Sequence, residues 1–337
     1  MADRPGSPAP ARAVSVGAGR GGRAGDPAPL IAAARTGDPR SLARLVSLVE
    51  NSAAAQLRSV MQVIRPLAGR AQLIGLTGAP GVGKSTVTAA LVRRYRDQGH
   101  RVGVLAVDPT SPFSGGALLG DRVRMQDHAT DDGVFIRSMA SRGQLGGLAW
   151  ATPQAARILD AAGYEVILIE TVGVGQAEVE IASHADTTLV VLAPGLGDSV
   201  QAAKAGILEV ADVFVVNKSD RPGAQEVVRD LRTMLAMGAR GEGDWKPPIV
   251  STTAVNGDGL DDLIAVIERH GKWLDGSGER DRRRLARARD EISAIATAQL
   301  RQRLGVLPGE SRLDELAAAV AAGDLDPYSA ADELLAD

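Results

Sequence analysis

The chain has 337 residues, 45% hydrophobic and 23% charged, with a net charge of −3. That is the make-up of a soluble globular protein without a basic field to draw nucleic acid, so the cytoplasm is the default location. Cys is 0, which excludes disulfides, thiolate metal sites and cysteine nucleophiles, and no apolar run approaches the ~20 residues that span a bilayer.

Residues 1–29, "MADRPGSPAPARAVSVGAGRGGRAGDPAP", are rich in Gly, Pro and Ala and lack an apolar core. They read as a disordered tail rather than a secretory signal. Residues 30–70 read as a helical extension, broken at Gly37-Asp38-Pro39. Over 71–272, seven short β-rich runs alternate with helical stretches: "QLIGLTG", "RVGVLAVD", "GVFIRSM", "YEVILIET", "TTLVVLAP", "VFVVNKSD" and "PIVSTTA". Runs with so few polar residues are buried on both faces, which predicts a doubly wound α/β domain around a mainly parallel sheet. Residues 273–337 read as a C-terminal helical extension. Its first part, "RDRRRLARARDEISAIATAQLRQRLG", predicts a charged helix with an apolar face containing Ile292, Ile295, Leu300 and Leu304. Two shorter helical pieces start near Ser311 and Pro327.

"GAPGVGKST", Gly78 to Thr86, satisfies G-x-x-x-x-G-K-[ST] between a strand and a helix, the context a P-loop requires. The segment Gly78, Ala79, Pro80, Gly81, Val82 and Gly83 can curl backbone N–H groups around phosphate oxygens at a helix N-terminus. Lys84 would reach the β- and γ-phosphates, the Ser85 hydroxyl would ligate Mg²⁺, and Thr86 continues the loop into the helix. "NKSD" follows a strand. There Asp220 can accept from the two donors on the guanine edge, which adenine lacks, Asn217 would tie loops together and the Lys218 stem would lie over the base. In "TTAVNGDGL", backbone at Thr253 and Ala254 could meet the guanine O6. These motifs together predict binding of GTP and GDP rather than ATP.

Asp108 leaves a strand beside the P-loop, a position suited to Mg²⁺ directly or through water. Asp121 opens an expected helix and reads equally as its N-cap. Glu170 ends a buried strand as a third acid near the metal or the attacking water, in a loop that reads E-x-x-G where many switches read D-x-x-G. Gly173 could turn its N–H to the γ-phosphate, so that the loop senses hydrolysis, and Gln176 is a candidate to orient water. The four histidines show no ligand spacing and read as surface or packing residues.

The run "GLTGAPGVGKST … VLAVDPTSPFSGGALLGDRVRM … GQLGG … VILIETVGVGQAEV … GDSVQAAKAGI … ADVFVVNKSD" resembles the MeaB/ArgK/MMAA family of P-loop GTPases, from about Leu30 to the C-terminus. "ETVGVGQ" and "GDRVRM" are its most specific pieces. The resemblance implies a GTPase chaperone that gates adenosylcobalamin loading of an acyl-CoA mutase, above all methylmalonyl-CoA mutase, and helps protect or rescue that enzyme. It also implies Mg²⁺ held by Ser85, Asp108, Asp121 and Glu170, and a homodimer formed through the helical extensions. A third switch in "GDSVQAAKAG" would couple nucleotide to partner through Asp198 and Lys204. Two departures bear on the partner: Ala205 stands where the family has a second basic residue, and "EISAIATAQL" lacks the family's tryptophans. A related mutase, such as an isobutyryl-CoA type, therefore stays open as partner. A metallochaperone GTPase, or a kinase as older arginine/ornithine transport descriptions had it, are the other readings. The first would need Cys or clustered His, and the second an acceptor pocket.

Overall fold

The computed structural model describes residues 26–51, 54–109, 130–141, 151–171, 184–195, 210–237, 241, 243–306 and 310–336. Each of the seven apolar runs forms a strand: β1 Gln72–Thr77, β2 Val102–Pro109, β3 Val134–Ser141, β4 Val166–Thr171, β5 Thr187–Leu192, β6 Val213–Asn217 and β7 Ile249–Thr252. They make one parallel sheet in the order β3-β2-β4-β1-β5-β6-β7. Every residue of β4, β5 and β6 is buried, as expected of strands covered on both faces.

The helices divide between those faces. α1 Ala28–Arg35, α2 Pro39–Asn51 and α3 Ala54–Ile64 join α5 Thr152–Ala161 over β2, β3 and β4, where Leu42, Leu45, Leu105, Met139, Ile158 and Ile169 share one core. Farther along the same face, α6 Ala224–Met237 covers β5 and β6. The opposite face carries α4 Lys84–Asp97 and α7 Leu260–Ser277, which pack on Ile74, Leu76, Val104, Leu168 and Val191. The break before α2 has a local cause. Gly37 takes φ +98°, and the Asp38 carboxylate accepts from the N–H of Arg40 and Ser41 at 3.2 and 3.1 Å, capping a helix that begins with Pro39.

At the C-terminal end come α8 Glu279–Val306, α9 Glu310–Ala322 and α10 Pro327–Ala336. The first half of α8 is fastened to the amino edge of the sheet by arginines. Arg283 pairs with Asp212 through both carboxylate oxygens at 3.0 and 2.9 Å, and Arg287 donates to Asp186 at 2.6 Å. Arg280 lies 3.5 Å from Asp186, and Glu291 accepts from Arg157 and Gln154 of α5. Asp186 and Asp212 immediately precede β5 and β6. Of the expected apolar face of α8, Ile292 and Leu300 are 67% and 57% exposed and Ile295 is half-buried, while the side chain of Leu304 lies outside the described residues. Charge pairing, rather than that face, attaches α8 to its own chain.

Beneath Asp212 a buried cluster joins α7 to the same edge. His270 Nδ1 lies 2.8 Å from the Thr187 hydroxyl, and its Nε2 lies 3.3 Å from Asp212 without hydrogen-bond alignment. The rings of Trp245 and Trp273 cover it. Burial pushes the His270 imidazole down to about 4. Asp212 opposes this, while Arg283 and Arg280 add to it.

Candidate nucleotide site

β1 delivers the chain into the glycine loop at the carboxyl edge, and α4 leaves it. Gly78 takes φ +139°, and a Cβ there would come 2.1 Å from the Val191 carbonyl oxygen. A Cβ on Gly83, at φ +97°, would come 2.5 Å from the Asn217 amide nitrogen. Both positions admit only glycine, because backbone of β5 and a side chain from β6 press against the loop. Lys84, buried at 8% exposure, turns its ammonium back onto the loop and donates to the carbonyls of Gly78 and Ala79, the latter at 3.2 Å. Ser85 is half-buried, and Pro80, Gly81 and Thr86 are exposed.

Three loops are tied together here. Asn217, at the end of β6, donates to the Val82 carbonyl at 3.0 Å. Its side-chain oxygen accepts from the Ala254 N–H at 3.2 Å and the Thr252 hydroxyl at 3.3 Å. Lys218 adopts φ +56°, a left-handed conformation uncommon for a residue with a Cβ, and donates to the Gly81 carbonyl at 2.7 Å. The Ser219 and Thr253 hydroxyls lie 3.1 Å apart, and Asp220 is exposed beside them. The structure thus brings Gly78 to Thr86, Asn217, Lys218, Asp220, Thr253 and Ala254 to one edge.

Glu170 is fully buried and reaches α4, where the Thr88 hydroxyl donates to its Oε2 at 2.5 Å. Asp108 stands two residues farther along β2 than Ala106, the register partner of Glu170; its side chain lies outside the described residues. Asp121, Gly173, Gln176, Asp198, Lys204 and Ala205 also lie outside them. Among the described residues no three His, Cys, Asp or Glu side chains gather as a metal cluster. The donors at hand, a half-buried serine hydroxyl and a buried carboxylate on the same side of α4, are hard oxygens that fit Mg²⁺ rather than a softer metal. Sequence reasoning missed Thr88 and Thr252, both read only as element interior. A polar residue four positions after Lys84, on the stripe with Leu91, Val92 and Tyr95, was the available signal.

The family model for methylmalonyl-CoA mutase-associated GTPase MeaB matches residues 42–307. The chain belongs to the MeaB family. A protein of Pyrococcus horikoshii named as a GTPase is 48% identical over 310 residues, covering 91% of this chain and 96% of its own. The mouse methylmalonic aciduria type A homolog, a mitochondrial protein, is 38% identical over 209 residues, 61% of this chain and half of its own. Among solved structures, a LAO/AO transport system kinase superposes with a TM-score of 0.68 at 26% identity over 91% of this chain and 96% of that one. This MeaB-family chain is a P-loop GTPase. No described helix is long and apolar enough to cross a membrane.

Proposed function

We propose that this MeaB-family GTPase is a chaperone of an adenosylcobalamin-dependent acyl-CoA mutase, methylmalonyl-CoA mutase or a close relative, and that GTP hydrolysis gates cofactor loading, protection or reactivation. The match of the family model over residues 42–307 carries this reading. In it, Gly78 to Thr86 cradle the triphosphate. Lys84 is held at the mouth of the loop by uncharged carbonyls, and the β- and γ-phosphates offer its ammonium stronger, charged acceptors. Asp220 reads the guanine edge, with Asn217 and Lys218 fixing its loop to the P-loop and backbone at Thr253 and Ala254 facing the base. Ser85 and Glu170, with Asp108 and Asp121, would hold Mg²⁺, which neutralises charge on the phosphates when bound. Gly173 and Gln176 sense the γ-phosphate and orient the attacking water, and Asp198 and Lys204 pass the nucleotide state to the mutase. The exposed Ile292 and Leu300 of α8 supply the apolar surface for a homodimer.

The test is GTP turnover by the purified protein, alone and with the mutase. Slow intrinsic release of phosphate, rising with the mutase and requiring no other acceptor, is the expected result. A rate that the mutase leaves unchanged removes the coupling, and phosphate transferred to an acceptor returns the kinase reading.

A further inference from the structure

We propose that Thr88 is a positioning residue for GTP hydrolysis, holding the Glu170 carboxylate in a fixed place on the P-loop helix. The proposal rests on the reading of Glu170 as an acid of the nucleotide site.

Thr88 and Glu170 are both 0% exposed. The Thr88 hydroxyl oxygen lies 2.5 Å from Glu170 Oε2 and 3.1 Å from the carbonyl oxygen of Lys84, one turn back on α4. A hydroxyl has one proton to give. The shorter contact is in the range of an O–H donating to a carboxylate, so the proton points at Glu170. The bond that a mid-helix threonine ordinarily returns to its own helix is the weaker of the two. The in-register neighbours of Glu170 on the sheet, Leu76 and Ala106, are apolar, so neither offers a donor side chain. Anchoring to α4 matters because that helix also carries Lys84 and Ser85, which lies three residues before Thr88 on the same side. Through Thr88, an acid from β4 shares one rigid frame with the phosphate-binding ammonium and the hydroxyl proposed for the metal. A fixed frame of this kind keeps reacting groups in register, and small misplacements within it are expensive in rate.

The experiment compares Thr88→Val, Thr88→Ser, Glu170→Gln and the Thr88→Val/Glu170→Gln double variant in the full chain. Three quantities are measured: GTP turnover, the Mg²⁺ concentration that half-maximally slows release of a fluorescent GDP analogue, and the thermal midpoint. Thr88→Val is expected to lower kcat about tenfold with KM for GTP within about twofold, and to raise the Mg²⁺ requirement several-fold. Thr88→Ser keeps the hydroxyl and restores both quantities, which a purely packing role for the threonine methyl would not do. The double variant is expected to be no worse than Glu170→Gln, because the two residues act as a pair. If the thermal midpoint shows that Thr88→Val is not folded, Thr88→Ala serves as the hydroxyl-free variant. The proposal is overturned if the hydroxyl-free variant matches the parent while Glu170→Gln is impaired, or if the two defects multiply independently. If Glu170→Gln itself matches the parent in turnover and Mg²⁺ requirement, the fault lies in the assignment of Glu170 to the site.

Discussion

At the carboxyl edge of the sheet, Lys84, Asn217 and Lys218 donate to backbone carbonyls of the P-loop. At the amino edge, Arg283 and Arg287 donate to the carboxylates of Asp212 and Asp186. The first set joins cations and an amide to neutral acceptors, which a phosphate can outcompete. The second joins opposite charges with Asp186 and Asp212 at 2% and 5% exposure, where removing one partner strands the other. One sheet therefore keeps a binding edge and a fastening edge apart, and substitutions should sort by edge into losses of chemistry and losses of stability.

The largest effect tests the first half of that division. Lys84→Ala should lower GTP turnover by about a thousandfold, if its ammonium meets transition-state charge as proposed. Its urea midpoint should stay close to that of the parent, because the ammonium donates to carbonyls of a loop rather than bracing the core. A large stability loss would show that the binding edge is also a fastening one. Next, Asp220→Asn should narrow the preference for GTP over ATP by about a hundredfold, measured by competition for a fluorescent guanine nucleotide. Unchanged discrimination would move base reading elsewhere.

On the opposite edge, Arg283→Ala should cost about 2 kcal/mol of unfolding free energy, less than a fully buried pair because the arginine is partly exposed. Turnover per folded molecule should remain within about twofold. A collapse of turnover at full folding would mean that the edges communicate. The smallest effect concerns His270. Its imidazole is depressed from 6.5 to about 4, so between those values the unfolded chain binds a proton that the folded chain refuses, and stability falls as pH falls. Going from about pH 7 to about pH 5.5 should cost about 1 kcal/mol through this group. Urea midpoints at the two pH values should therefore differ less in His270→Gln than in the parent.

The sequence made the strands readable because a parallel sheet covered on both faces needs unbroken apolar runs such as "VILIET" and "VFVVN". The P-loop was readable because its glycines are forced by contacts that only a side chain of zero size allows. Strand order was not, since the placing of β4 between β1 and β2 depends on pairings between distant segments. How α8 attaches to the sheet was not legible for a related reason. An arginine on a helix looks solvated until the carboxylate opposite is known, and Asp186 and Asp212 are about 70–100 residues away in the chain. Asp220 is a candidate base reader only through its neighbours in the sequence, whereas Thr88 carries no motif at all.

The order of strands in the sheet, with β4 inserted between β1 and β2 and β6 beyond β5, also governs when the site comes into being. Thr88 meets Glu170 across 82 residues, and Asn217 meets Val82 across 135. Both bonds close large loops, and their entropy is recovered only when the central strands have all paired. A nascent chain that has not yet delivered β6 holds a complete glycine loop but lacks the brace that shapes it. Nucleotide that binds the braced loop then draws the last steps of folding forward by mass action, so cellular guanine nucleotide becomes a ligand that selects finished molecules over partial ones.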